Sequence, residues 1–132
     1  MNGKNKQFKK IKAFTLIELM ITLSILALLV SIVSPKYFKS VDRARDQVLM
    51  QQLATMREAI ENYVSDKGVY PDSLETLVKE RYLKQIPVDP LTDKKNTWVF
   101  IAPASNNNAQ GISDVHSGST AKNQAGVPYN SF

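Results

Sequence analysis

The chain has 132 residues, with 17 Lys and Arg against 12 Asp and Glu, one His and no Cys, which is room for one small domain and a long helix. Five of the lysines fall within the first thirteen residues, so residues 14–132 are balanced at twelve basic to twelve acidic side chains and hold no basic stripe for nucleic acid. One His and no Cys exclude a disulfide framework and a transition-metal centre, and Asp114, His116 and Ser117, though close in sequence, do not make the converging pocket of a hydrolytic triad, so the chain reads as a non-enzyme.

Residues Met1 to Ala13 form a basic leader with Lys4, Lys6, Lys9, Lys10 and Lys12 and no acid. The leader runs directly into Phe14 to Ser34, 21 residues with a single charge, Glu18. At ~1.5 Å per residue this span is about 31 Å long and matches a hydrocarbon core of ~30 Å. Lysines beside a span stay on the cytoplasmic side, which places everything after Ser34 outside. A secretory signal peptide would have an apolar region of about 7–15 residues and a small-residue cleavage site. Here the run is longer and ends Ser31-Ile32-Val33-Ser34. A plain signal anchor explains the length and the lysines but not Glu18. A carboxylate at such a place costs roughly 2.5–3.5 kcal/mol on insertion scales, and pairing is what relieves it.

The helical period continues beyond the span. Val41, Ala44, Val48, Leu49, Leu53, Met56, Ile60, Tyr63 and Val64 recur at steps of three and four, with Asp42, Arg43, Asp46, Arg57, Glu58 and Glu61 opposite. The spacing predicts one helix from Phe14 to about Asp66, roughly 80 Å long at ~1.5 Å per residue. Pro35 interrupts it at the membrane exit by removing one backbone hydrogen bond, and Gly68 is a stop signal. The chain thus divides into three segments: the leader 1–13, the membrane half 14–34, and an amphipathic half with a head, 35–132.

In the head, Asp72-Ser73-Leu74-Glu75 reads as a capping box for a short helix over Ser73–Tyr82. Tyr70-Pro71 and Ile86-Pro87-Val88-Asp89-Pro90 are extended turns that cover the core. Thr97–Ala102 and Gly111–Ser117 read as strands flanking a loop at Ser105–Asn108, and Gly126–Asn130 as extended. Trp98, Phe100 and Tyr129 are expected in the core or the sheet.

Phe14-Thr15-Leu16-Ile17-Glu18-Leu19, behind a basic leader and ahead of Pro35, resembles the N-terminus of type IV prepilins and type II secretion pseudopilins. YPDSLETLV, YLKQIPVDPLT, Trp98 and GISDVHSGS then resemble the major, G-type pseudopilins, so the likeness spans essentially the whole chain. It implies an α+β, type IV pilin-like fold. In that fold a long N-terminal helix, membrane-spanning in its first half, packs on a small head with a short helix and a small antiparallel sheet. It also implies cleavage by prepilin peptidase between Ala13 and Phe14, and methylation of the new Phe14 amine. The family usually has glycine before the cut; Ala13 is also small.

In the assembled filament the resemblance places Glu18 against the Phe14 amine of a neighbouring subunit, which would fix axial register, and makes Pro35 the point where the helix bends or melts on packing. The implied partners are further copies in a helical homopolymer, minor pseudopilins, prepilin peptidase, and an inner-membrane assembly platform with its ATPase. The implied place is a bacterial inner membrane, crossed once, N-terminus cytoplasmic and head periplasmic. No cofactor is expected, although many G-type pseudopilins hold calcium in the C-terminal loop, where Asp114 and Ser117 are weak candidates. Ser119 to Val127 has no Asp or Glu, whereas calcium takes 6–8 oxygens, and a hydrogen-bonded turn is the plainer reading. The implied function is a filament subunit that drives protein secretion across the outer membrane. The alternative is a type IV pilus pilin for adhesion, motility or DNA uptake, which shares the N-terminal residues.

Overall fold

The computed structural model describes Gly3 and residues 12–104 and 110–132. Most of the leader, and the loop expected at Ser105–Asn108, lie outside the described residues. The chain divides into two compact units, Met1–Phe38 and Lys39–Phe132. One helix, α1 (Leu16–Lys67), contributes to both.

In the first unit α1 begins two residues later than Phe14 because Thr15 caps it. The Thr15 hydroxyl oxygen accepts the Glu18 N–H at 3.2 Å and its carbonyl accepts the Leu19 N–H at 3.1 Å. Thr15 and Glu18 have the spacing of a capping box, of which the Thr15 half is made. The hydroxyls of Thr22, Ser24 and Ser31 donate to the carbonyls four residues earlier, at 2.8, 2.8 and 2.9 Å. Polar groups on an apolar helix are thereby satisfied without water. The helix is long and apolar enough here to cross a membrane, and none of its most apolar window is buried in the protein. Pro35 does not break it: α1 runs through this position in the single chain. A proline removes one N–H bond, and the turns on either side remain bonded.

In the second unit α1 buries Leu49, Leu53, Met56, Ala59 and Ile60. The buried stripe is shorter than the sequence period suggests, since Val48 is left half exposed. Gly68 ends the helix with φ +74°, and its N–H bonds the Val64 carbonyl at 2.8 Å, a left-handed C-terminal cap that glycine adopts without strain. The short helix α2 is Leu74–Lys79. Its cap is Ser73 rather than Asp72: the Ser73 hydroxyl accepts the Thr76 N–H at 3.3 Å. Leu74 and Leu77 pack from α2 onto the α1 stripe, joined by Leu83, Trp98, Ile112, Val115 and Tyr129.

The sheet has two antiparallel strands, β1 (Val99–Ile101) and β2 (Asp114–His116), with Phe100 opposite Val115. Both are shorter than their sequence signals. Pairing ends at Ser117 because its hydroxyl turns to Asp89, and Gly118 lies against the Thr97 carbonyl. Trp98 is buried, with its indole N–H donating to the Pro87 carbonyl at 2.9 Å. Phe100 is in the sheet but half exposed. The stretch expected to be extended near Pro128 makes one bridge to Lys122 and then coils into a 3₁₀ turn, Tyr129–Ser131. The architecture is the α+β arrangement expected of a type IV pilin-like chain.

Candidate functional site

The first unit brings the sequence-predicted junction and its acid together. Lys12, Ala13, Phe14 and Glu18 line one shallow groove of about 380 Å³. The cap explains why. Thr15 starts the helix, so Ala13 and Phe14 stay extended before it while Glu18 sits in the first turn. Phe14 is 82% exposed and the Leu16 and Ile17 side chains beside it are also exposed. The Glu18 carboxylate has no hydrogen bond or ion pair among the described residues. The helix N-terminus favours a negative charge by ~0.3–1 kcal/mol, less than the ~2.5–3.5 kcal/mol that insertion of a carboxylate costs. Chemically this is an acceptor for one cationic group in an apolar setting, beside a peptide bond open to a protease.

The second unit separates the other candidates. Asp114 and His116 do share one face of β2, with His116 Nε2 3.4 Å from Asp114 Oδ2. Ser117 does not join them: it is fully buried and its hydroxyl donates to Asp89 Oδ2 at 2.6 Å. Asp114 is held by Arg57, whose Nε–H donates to Oδ1 at 2.6 Å, and by the Val115 N–H at 2.7 Å. Burial pushes the Asp114 carboxyl up, but the Arg57 and Val115 hydrogen bonds and the nearby positive charge outweigh it and hold the group below its usual range. Asp114 and Ser117 therefore point to different partners. The described residues contain no cluster of three or more His, Asp or Glu suited to a metal ion, and this donor set does not fit calcium.

Three residues that carry much of this wiring were not singled out from sequence as its anchors. Asp89 is completely buried and accepts both the Ser117 hydroxyl and the Leu91 N–H, the latter at 2.8 Å. Its signal was the Asp-Pro pair, read only as a turn. Arg57 lies on the face of α1 opposite the apolar stripe. Asp46, on the same face, accepts the hydroxyl of Tyr129. That phenol is pushed up to about 12, first by burial and then by its bond to Asp46.

Residues 8–34 match the prokaryotic N-terminal methylation motif. Over 115 residues the chain is 30% identical to the type II secretion system core protein G of Pseudomonas aeruginosa, covering 75% of this chain and 79% of that protein. It is 30% identical over 113 residues to the core protein G of Vibrio cholerae, covering 74% and 75%. Fimbrial protein EcpC of Eikenella corrodens is 40% identical over 60 residues, 46% of this chain and 39% of that protein. No solved structure gave a match.

Proposed function

We propose a function from the family to which this chain belongs, that of the type II secretion system core protein G. The chain is a filament-forming structural subunit, the major pseudopilin of such a system, and its polymerisation drives protein secretion across the outer membrane. Its work is mechanical and it catalyses no reaction. The likeness to a fimbrial protein spans 60 residues, fewer than the core protein G matches, so the pilus alternative is the weaker one.

The observation that carries this reading is Glu18, a carboxylate with no hydrogen-bond or ion-pair partner among the described residues, in the first turn of an apolar helix just beyond an exposed Ala13-Phe14 bond. Prepilin peptidase cuts that bond on the cytoplasmic face of the inner membrane, and the new Phe14 amine is methylated. The subunit waits as a single-pass protein with its head in the periplasm. An assembly platform with its ATPase then lifts it into a helical homopolymer, with minor pseudopilins as further partners. In the polymer Glu18 accepts the Phe14 amine of a neighbour. Only one stagger brings the two charges together, so the pair sets axial register, and the contact is heterologous and non-closing, as a filament requires. Pro35, with its missing N–H, is the point at which α1 yields when subunits pack.

Intact-mass analysis of membrane-extracted protein tests the processing: loss of Met1 to Ala13 with one added methyl is expected, and a full-length mass refutes it. Glu18→Ala tests the assembly role. The variant should insert into the membrane and fail to polymerise; normal filaments from it would rule out the pairing.

A further inference from the structure

The segment after β2 is fastened with neither a disulfide nor a suitable set of metal ligands. Asp114 is the last acidic residue of the sequence, and residues 118–132 carry Lys122 and no Asp or Glu. A calcium ion takes 6–8 oxygens, several of them carboxylate, and here one carboxylate would have to serve. That carboxylate is engaged. Its Oδ1 takes the Arg57 Nε–H and the Val115 N–H, and its Oδ2 faces His116. The other candidate, Ser117, is bonded to Asp89 and accepts the Ser119 N–H at 3.2 Å. A cation entering here would first have to displace a guanidinium that already supplies positive charge.

That guanidinium does more than neutralise Asp114. Its Nη2 donates to the Val115 carbonyl at 3.1 Å and to the Phe132 main-chain oxygen at 2.9 Å. One side chain of α1 thus grips β2 and the residue that ends the 3₁₀ turn, 75 positions along the chain. The planar fork of Arg suits such a three-point contact, and a lysine ammonium cannot reproduce it. A second anchor from α1 acts beside it, Asp46 on the Tyr129 hydroxyl.

We propose that Arg57 is a metal-free clasp: it takes the structural role that a bound calcium would have in this region, and the head keeps its C-terminal segment closed independently of divalent cations. The prediction concerns the folded subunit and stands apart from whether it forms a secretion filament or a pilus. Full-length protein in detergent is melted, with the emission of Trp98 as readout, in millimolar calcium chloride and in excess EGTA. The two midpoints should coincide. Arg57→Gln should melt at least ~4 °C lower, the shift expected in a domain of this size for the loss of about one net hydrogen bond. Trypsin should cut after the exposed Lys122 about fivefold faster in this variant under native conditions. Arg57→Lys should fall between the two. A wild-type midpoint more than ~4 °C higher in calcium than in EGTA overturns the proposal, and that comparison decides even if Arg57→Gln does not fold. So does an Arg57→Gln protein with the wild-type midpoint and wild-type cleavage.

Discussion

Asp89 is a fully buried acid that ties two segments of the head together, and Asp89→Ala tests what that tie is worth. The residue has 0% exposure and holds two groups at once, the Ser117 hydroxyl at 2.6 Å and the Leu91 N–H at 2.8 Å. Removing the carboxylate leaves Ser117, itself fully buried, with a desolvated hydroxyl that has lost its acceptor, at a cost of ~1–3 kcal/mol. The Leu91 N–H is only half buried, so water replaces part of its bond and its loss adds up to ~1 kcal/mol. Relief of the buried charge offsets some of this. The net expectation is ~2–3 kcal/mol, which in a domain of 60–100 residues lowers the melting midpoint by about 8–24 °C.

The graded comparison separates this mechanism from a general dislike of substitution. Asp89→Asn keeps an oxygen for the Leu91 N–H and offers an amide to Ser117, so its loss should be about half as large or less. Ser117→Ala should cost nearly as much as Asp89→Ala, and the double variant little more than either, with a coupling of ~1.5–3 kcal/mol. Trp98 is the sole tryptophan and bonds Pro87, two residues from Asp89, so its fluorescence reports this corner directly in a thermal melt of the full chain. An Asp89→Ala midpoint within ~2 °C of wild type, on the same conversion, would refute the reasoning. An Asp89→Asn protein as damaged as Asp89→Ala would do the same.

Two titrations and one glycine give the other tests. Asp114 is held below its usual range, so its ion pair contributes fully above the unfolded value near ~3.9 and is lost as the pH falls through the lower folded value; Asp114→Asn should flatten that acid limb of a stability-against-pH curve. Tyr129 is raised from 10.0 to about 12, so its contribution is present below pH 10.0 and is lost as the pH rises toward 12; Tyr129→Phe should remove that alkaline limb. Gly118→Ala drives a Cβ into the Thr97 carbonyl oxygen, where backbone must give way; a loss of ~1–3 kcal/mol is expected, read from Trp98 emission, and a wild-type melt would show that the turn opens without cost.

Much of the fold could be read from periodicity, because a long helix writes its buried stripe at steps of three and four. Leu49, Leu53, Met56 and Ile60 were recognisable on that ground, and Gly68 as the stop. Strand lengths were not, since Thr97 and Ser117 have strand-like neighbours but are drawn off by tertiary bonds to Thr92 and Asp89. Glu18 stands out in the sequence because an acid in an apolar run violates a local rule. Arg57, Asp46 and Asp89 violate none. A charge on a helix face or beside a proline reads as solvated or as a turn until the partner, up to 83 positions away, is folded against it.

Two kinds of surface in the membrane half call for different covers, and the difference bears on what drives assembly. The exposed Leu, Ile and Val side chains of α1 are satisfied by lipid, whose tails are as apolar as leucine, so apolar contact alone gives a helix little reason to leave the bilayer for another helix. Lipid tails do not satisfy the Glu18 carboxylate, and a cationic partner does. If pairing in the filament recovers the insertion cost of ~2.5–3.5 kcal/mol, it favours association about a hundredfold, at 1.4 kcal/mol per factor of ten. That is too little to hold a filament by itself but enough to select one stagger among several of similar packing. Glu18→Gln isolates the charge from the shape. The amide is isosteric and easier to insert, so the variant should accumulate in the membrane at least as well as wild type while its assembly falls about a hundredfold. Filaments of normal yield and normal axial rise from Glu18→Gln would mean that shape sets the register, and the carboxylate would then need another explanation.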